Sequence, residues 1–381
     1  MRMKAFYKDS LTRAAALLYL LCLTAAVLLS AKNAYAYSGG VGTKEDPYQI
    51  ACLADWLCLV EAVDTELQHF LLTANVDCGG SAMRPVGDEQ PFQGILNGGD
   101  YSLSGAEIVG DNDSPVGLFR IVGAGALIKN LRVTDVTVRG KINVGGLAGI
   151  NQGTLRNCRV QGAVEGSMYG SHVGGLVGYN DGGVLAGCHS EGTLTGAAYC
   201  QKIGGLAGYN SGTITECSAQ VDVIGFVSTV DVGGLVGVND GGAIKFSCAS
   251  GSVTGGWGMG GLVGTQTLGT ILACYATTSA KGMFNNVGGL VGLNRDKIIA
   301  SYSTGLVIGL HHVGGLVGQN LQGLVHFCFW DKERSGRDES AGGRALLSQQ
   351  MSKTLYFKNK GWETYPWFLV DGEMPRLAWE K

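Results

Sequence analysis

A pentapeptide, Gly-Gly-Leu-(Val/Ala)-Gly, recurs seven times in this chain at intervals of 26 to 30 residues. Its leucines are Leu147, Leu176, Leu206, Leu235, Leu262, Leu290 and Leu316, and a degenerate copy, Val116-Gly117-Leu118-Phe119, lies 29 residues upstream of the first. A period in this range marks a solenoid, a propeller or a tandem array, in which one unit cannot bury its own apolar face and must stack on neighbours. The chain has 63 glycines and only 6 prolines in 381 residues, so the glycine is positional and not part of a disordered Pro/Gly tract.

Aligning the copies on the motif leucine exposes further columns. Four residues after each leucine stands an amide: Asn151, Asn180, Asn210, Asn239, Gln266, Asn294 and Asn320. An aliphatic column follows at Leu155, Leu185, Ile214, Ile244, Ile271, Ile298 and Val325. Three residues later, or four after Ile244, comes Cys158, Cys188, Cys217, Cys248, Cys274, Ser301 and Cys328. A Gly-x-Val-x-Gly-like element then supplies Val164, Leu194, Val223, Val253, Ala280 and Val307.

Segments this short, and this rich in Gly and β-branched residues, read as strands. The expectation is an all-β parallel β-solenoid of about eight coils, three short strands per coil, capped at both ends. Coils stacked about 4.8 Å apart turn each column into a ladder. Stacked amides can bond along their column and to the turn beside it, where backbone groups otherwise go unpaired. The cysteine column reads as small buried apolar residues, since Ser301 replaces one and no pair has zinc spacing. A disulfide among Cys52, Cys58 and Cys78 stays open.

The ends differ from the middle. Arg2, Lys4, Lys8 and Arg13 precede an apolar run from Ala14 to Ala31, and Ala34-Tyr35-Ala36 then offers a small-x-small pattern. This reads as a signal peptide over 1–36, cleaved after Ala36, with an uncleaved anchor as the alternative. No second apolar stretch of membrane length follows. Without residues 1–36 the chain holds 23 basic and 30 acidic residues, a balance of −7 that argues against nucleic acid or an anionic membrane as partner. Residues 37–116 read as an N-terminal cap with its first strands; within them Leu53 to Val63 has helical apolar spacing. Residues 117–328 form the repeat. Residues 144–328 carry 15 charged residues, whereas 329–381 carry 17 along with Trp330, Trp362, Trp367 and Trp379, which fits an aromatic, charged cap. An aromatic ligand platform is the other reading of that segment.

The repeat resembles the GLUG motif of exported bacterial surface proteins. The resemblance also takes in the Gly-Thr-x-x-Asp-Pro-Tyr-x-Ile entry at Gly42, the Gly94 to Ser104 segment and the tail opening Phe329-Trp330-Asp331-Lys332. It implies a β-helical region on secreted or surface proteins, some of them adhesins. Some immunoglobulin-A-cleaving metallopeptidases carry the motif as an accessory region, but their His-Glu-x-x-His signature is absent here. The motif has no assigned catalytic residue, so no site carries over.

No constellation for chemistry stands out. His172 and His312 share a register five coils apart, too far to share a ligand. Polysaccharide-active β-helices need two carboxylates on one face; Asp181 and Asp240 share a register two coils apart, with Asp296 close to it, and Asp111, Asp113 and Asp135 gather near the first coil. These read as solvated turn residues. Tyr179 and Tyr209 in adjacent coils form a candidate ligand stripe. The expected function is therefore a non-enzymatic adhesion or scaffold module, secreted or at the cell surface, with a glycan or a host or envelope protein as partner, and with no catalytic residue, cofactor or metal. The alternatives are a polysaccharide-active β-helix enzyme and an accessory module for a separately encoded enzyme.

Overall fold

The structure is a computed structural model that describes residues 37–380, apart from 63, 112, 359, 361, 363 and 364. The signal segment and its Ala36 cleavage position lie outside the described residues. From Ser38 onward the chain is one unit, a parallel β-solenoid of about nine turns.

Three sheets run along the rod. In one representative coil, Val177–Asn180 lies on an eight-stranded amide face and Val184–Ala186 on an eleven-stranded aliphatic face. His189–Gly196 and Gln201–Gly204 then form the two limbs of a long, bent third face. The columns stack in parallel register: Leu155 opposes Leu185, which opposes Ile214, and Val164 opposes Leu194, which opposes Val223. All seven motif leucines are fully buried.

Two features differ from the expected coil. The expected three strands per coil hold where the long face is one continuous strand, as in Arg132–Gly145 and Arg159–Gly174; in later coils that face bends and breaks, giving four or five segments. Gly196 sits at that bend, where a Cβ would run into Ile203 Cδ1. The turns also exceed eight. Tyr48–Ile50, His69–Leu72 and Ile95–Asn97 lack the motif, yet each pairs in parallel as an early rung of the aliphatic face. The N-terminal segment is thus partly solenoid. Its helix α1 (Leu53–Val60) buries Trp56, which meets Phe119 edge-on at 6.1 Å.

The motif itself is explained by backbone packing on backbone. A Cβ on Gly204 would strike the carbonyl of Ala207 in its own coil. One on Gly205 would strike the carbonyl of Gly234 in the next coil, and one on Gly208 the backbone of His172 in the coil before. Only glycine lets the turn approach on all three sides.

The amide column is a directed chain of hydrogen bonds. Asn151 Nδ2 donates to Asn180 Oδ1 (2.8 Å), Asn180 to Asn210 (2.7 Å), Asn210 to Asn239 (2.7 Å) and Asn239 to Gln266 Oε1 (2.9 Å). The same Nδ2 groups donate to turn carbonyls, as Asn180 does to Gly183 (3.1 Å) and Asn239 to Gly242 (3.0 Å). Gln266 ends this run, because its buried Nε2 finds no acceptor among the described residues. A second run starts at Asn294, which donates to Asn320 (2.8 Å).

The sulfur column needs two corrections. First, its fourth rung is Ser247, not Cys248. The spacing of three holds in every coil, and Ser247 Oγ accepts from Cys217 N (3.1 Å) just as Ser301 Oγ accepts from Cys274 N (3.0 Å). Cys248 is one residue further on, beneath the C-terminal tail. Second, the position is more than a small apolar one. Each preceding residue is left-handed, from Asn157 (φ 52°) to Phe327 (φ 52°), which makes a tight corner. The thiols donate into it, Cys217 to Thr215 O (3.2 Å) and Cys328 to His326 O (3.2 Å). Cys and Ser interchange because both are small and carry a donor. All ten described cysteines are free, so no bridge joins Cys52, Cys58 and Cys78.

The C-terminal segment does two things. Residues 339–341 close the last coil, with Ser340 Oγ accepting from Leu316 N (3.2 Å) and Val317 N (2.8 Å). The chain then doubles back along the outside of the long face. Trp362 and Trp367 stack at 4.4 Å over Tyr302, and Trp379 donates to Phe246 O (2.7 Å). Trp330, Trp362 and Trp367 are buried, so they form core and not an aromatic platform.

Candidate functional site

The expected tyrosine stripe belongs to a denser polar cluster. Four residues before each motif leucine the chain turns a left-handed corner, at Asn143, His172, Lys202 and Asp231 in successive coils. His172 Nδ1 donates to Asn143 Oδ1 (2.7 Å), and Lys202 Nζ donates to His172 Nε2 (3.2 Å). Burial, with the Lys202 charge added, pushes the His172 imidazole down to about 4, so it is neutral at pH 7. Thr265 donates to Asp231 (2.6 Å), whose carboxyl burial shifts upward.

Tyr179 and Tyr209 lie over this corner. Their rings meet edge-to-face at 5.1 Å and both contact the His172 ring, while the Lys202 ammonium sits 4.9 Å from the Tyr209 centroid. The two rings are therefore packed against one another and against His172. Tyr209 OH donates to Asp240 (2.6 Å). The stripe is a self-satisfied network more than an open platform.

The other carboxylates are similarly engaged. Asp181 accepts from Gln152 Nε2 (2.9 Å), Asp296 from Gly269 N (2.7 Å) and Asp111 from Ser114 N (2.8 Å). Asp135 is itself a left-handed residue on the long face, and Asp113 donates its N–H to Asp111 (3.3 Å). Among the described residues no group of three His, Cys, Asp or Glu side chains could hold a metal ion.

Two surfaces were not legible as sites. The first is the bend of the long face. In six successive coils it projects apolar side chains into solvent: Tyr169, Tyr199, Phe226, Trp257, Met283 and Leu310, each 37% exposed or more. Tyr169 and Tyr199 stack at 5.0 Å, as do Trp257 and Phe284 at 4.1 Å. Five intervals of about 4.8 Å make this edge about 24 Å long. Its residues fall in the variable stretch between the columns, where the repeat gives no periodic signal.

The second is a half-open cavity of about 290 Å³ between the long face and the returning tail, lined among others by Arg159, His189, Glu191, Gln220, Trp379 and Glu380. It is assembled from residues up to 221 positions apart, which no spacing argument brings together. Among the described residues no helix is long and apolar enough to cross a membrane.

Comparison with known proteins agrees with this architecture. Residues 169–195 and 199–224 match the GLUG motif. The chain is 32% identical over 152 residues to halomucin of Haloquadratum walsbyi, covering 36% of this chain and 2% of that protein. It is 37% identical over 135 residues to a "Putative Gly-rich membrane protein" of Evansella cellulosilytica, covering 33% of this chain and 16% of the other. The chain thus spans only a small part of either relative. Among solved structures, a "putative immunoglobulin A1 protease" from Bacteroides ovatus aligns over 91% of this chain and 96% of its own, with a TM-score of 0.53 and 18% identity, a likeness of fold alone. The chain carries GLUG-motif repeats within residues 169–224.

Proposed function

We propose that this chain is an exported repeat protein, secreted or at the cell surface, that serves as a non-enzymatic adhesion or scaffold module. The apolar edge at the bend carries the reading. Scattered apolar side chains on a surface need no explanation, but a contiguous file along one edge marks a contact surface. Because its aromatic rings stack on one another, the edge offers ring rims and methyl groups, which suit a protein partner. The charge-poor coils on either side lower the desolvation cost of contact. The similarity to halomucin and to a Gly-rich membrane protein supports a surface role, as do the basic residues and apolar run at the N-terminus. The engagement of Asp181, Asp240 and Asp296 in structural hydrogen bonds speaks against catalysis by those residues.

The test is the triple variant Tyr169→Ser, Tyr199→Ser, Phe226→Ser. These side chains are exposed, so its melting curve should match the parent. Retention on envelope fractions and on an array of matrix proteins should fall at least tenfold. Equal retention would contradict the proposal. Fractionation with N-terminal sequencing tests export separately: the expected product begins at Tyr37, in the medium or the envelope.

A further inference from the structure

We infer that the groove beneath the returning C-terminal tail is a binding site for a neutral, unbranched oligosaccharide lying parallel to the rod. This goes beyond the adhesion reading and does not rest on it, since it concerns a different face of the coil.

The groove floor consists of two outward columns. In the first, Arg159, His189, Ser218, Cys248 and Tyr275 oppose one another in register across five coils. In the second, Glu191 opposes Gln220, which opposes Ser250, and Thr277 follows in the next coil along the same cavity.

The first column is spoken for by protein contacts. His189 Nδ1 pairs with Ser218 Oγ (2.7 Å), and burial and Arg159 shift the imidazole downward. Tyr275 donates its hydroxyl to Glu380, which also accepts from Leu377 N (2.7 Å) and from the Cys248 thiol (3.5 Å). The wall is equally fixed. Trp379 is held by its indole N–H on Phe246 O (2.7 Å), and its ring lies 5.8 Å from His189.

The second column is not engaged in this way. The side chains of Gln220, Ser250 and Thr277 have no protein partner among the described residues, and Glu191 has only a long contact to Arg159 (3.7 Å). The groove therefore presents an amide and two hydroxyls, one per coil at about 4.8 Å steps, in a cavity that a fixed indole also lines. Its volume lies near the lower end of the usual range for small-ligand sites, roughly 300–1,000 Å³.

This chemistry selects the ligand. A pyranose chain carries hydroxyls along its edges and C–H groups on its faces, which match the amide–hydroxyl file and the indole. A polyanionic chain meets Glu191 and Glu380 with only Arg159 to offset them. An apolar peptide finds no apolar pocket on a floor of this composition.

The experiment is calorimetric titration of the whole chain with linear hexaoses of glucose, mannose, xylose and N-acetylglucosamine, and with hexagalacturonate as the polyanionic probe. At least one neutral hexaose should bind with a Kd of about a millimolar or tighter and perturb the indole fluorescence, while hexagalacturonate binds more weakly. The double variant Gln220→Ala, Ser250→Ala alters only exposed or half-exposed side chains, so it should keep the parental Tm and lose affinity about tenfold. Trp379→Phe should lose the fluorescence response. Absence of binding by every neutral hexaose, tighter binding of hexagalacturonate, or full affinity in the floor double variant would each overturn the inference. None of these results bears on retention through the apolar edge.

Discussion

Single side chains decide the stability of the stacked turns. Asn210 donates to Asn239 and to Gly212 O (3.3 Å) and accepts from Asn180. Asn210→Leu would leave Asn239 Oδ1 buried without its donor, while the Gly212 carbonyl keeps the Ala243 N–H (2.9 Å) and Asn180 Nδ2 keeps Gly183 O. At about 1–3 kcal/mol for one orphaned group, the loss should be roughly 1–3 kcal/mol. The reverse change is available two coils further on. Gln266→Asn should let the column run unbroken from Asn151 to Asn320 and raise the apparent Tm, where an unchanged or lower Tm would show that the gap serves the local turn. His172 adds a pH dependence. Its folded pKa is about 4, below its unfolded value of about 6.5, so the unfolded chain takes up the proton first. Its contribution is fully present above pH 6.5 and is lost as pH falls toward 4, by about 3 kcal/mol. Denaturant titrations at pH 7, 5.5 and 4 check this, and His172→Asn should flatten the slope.

At the scale of the coil, backbone contact rules. Gly205→Ala would press a methyl group against the Gly234 carbonyl and the Ala219 side chain, at a cost of roughly 3 kcal/mol or more. The corner before each sulfur makes a second prediction. Burial pushes the Cys274 and Cys328 thiols up to about 12, so they stay protonated and inert. Iodoacetamide at pH 8 should label exposed Cys52 in the native chain and reach the ladder only after denaturation; fast native labelling of Cys274 would contradict the packing. Here the repeat was highly legible. The leucine, amide and aliphatic columns fall in register because equal spacing and stacking are the same fact. The displaced Cys248 shows the limit. Identity of residue type drew the alignment one position off, although the constant spacing from Ile244 points to Ser247. The bend of the long face was missed because glycines such as Gly196 mark both ladder and corner.

Across the whole molecule, stacking was legible and folding-back was not. A tail rich in charge and tryptophan announced a different environment, but nothing local to residues 351–380 says that Trp379 reaches His189. The groove exists only through that long-range return, which is why the sequence directed attention to Tyr179 and Tyr209 instead. Those two rings do come together, but over His172 and Lys202. The apolar edge likewise arises from stacking of positions that vary from coil to coil. Everything built on these surfaces depends on the coils sharing one register. Paired cysteines on the aliphatic face, in a Cys52→Ser background, test it most directly. Val184 directly opposes Thr213 in the next coil. At about 4.8 Å between strands their Cα atoms fall within disulfide reach, whereas Val184 and Thr215 are offset by two residues and fall outside it. Under mild oxidation Val184→Cys with Thr213→Cys should crosslink readily, and Val184→Cys with Thr215→Cys should not. Efficient bridging of the offset pair, with none in the matched pair, would contradict the stacked solenoid.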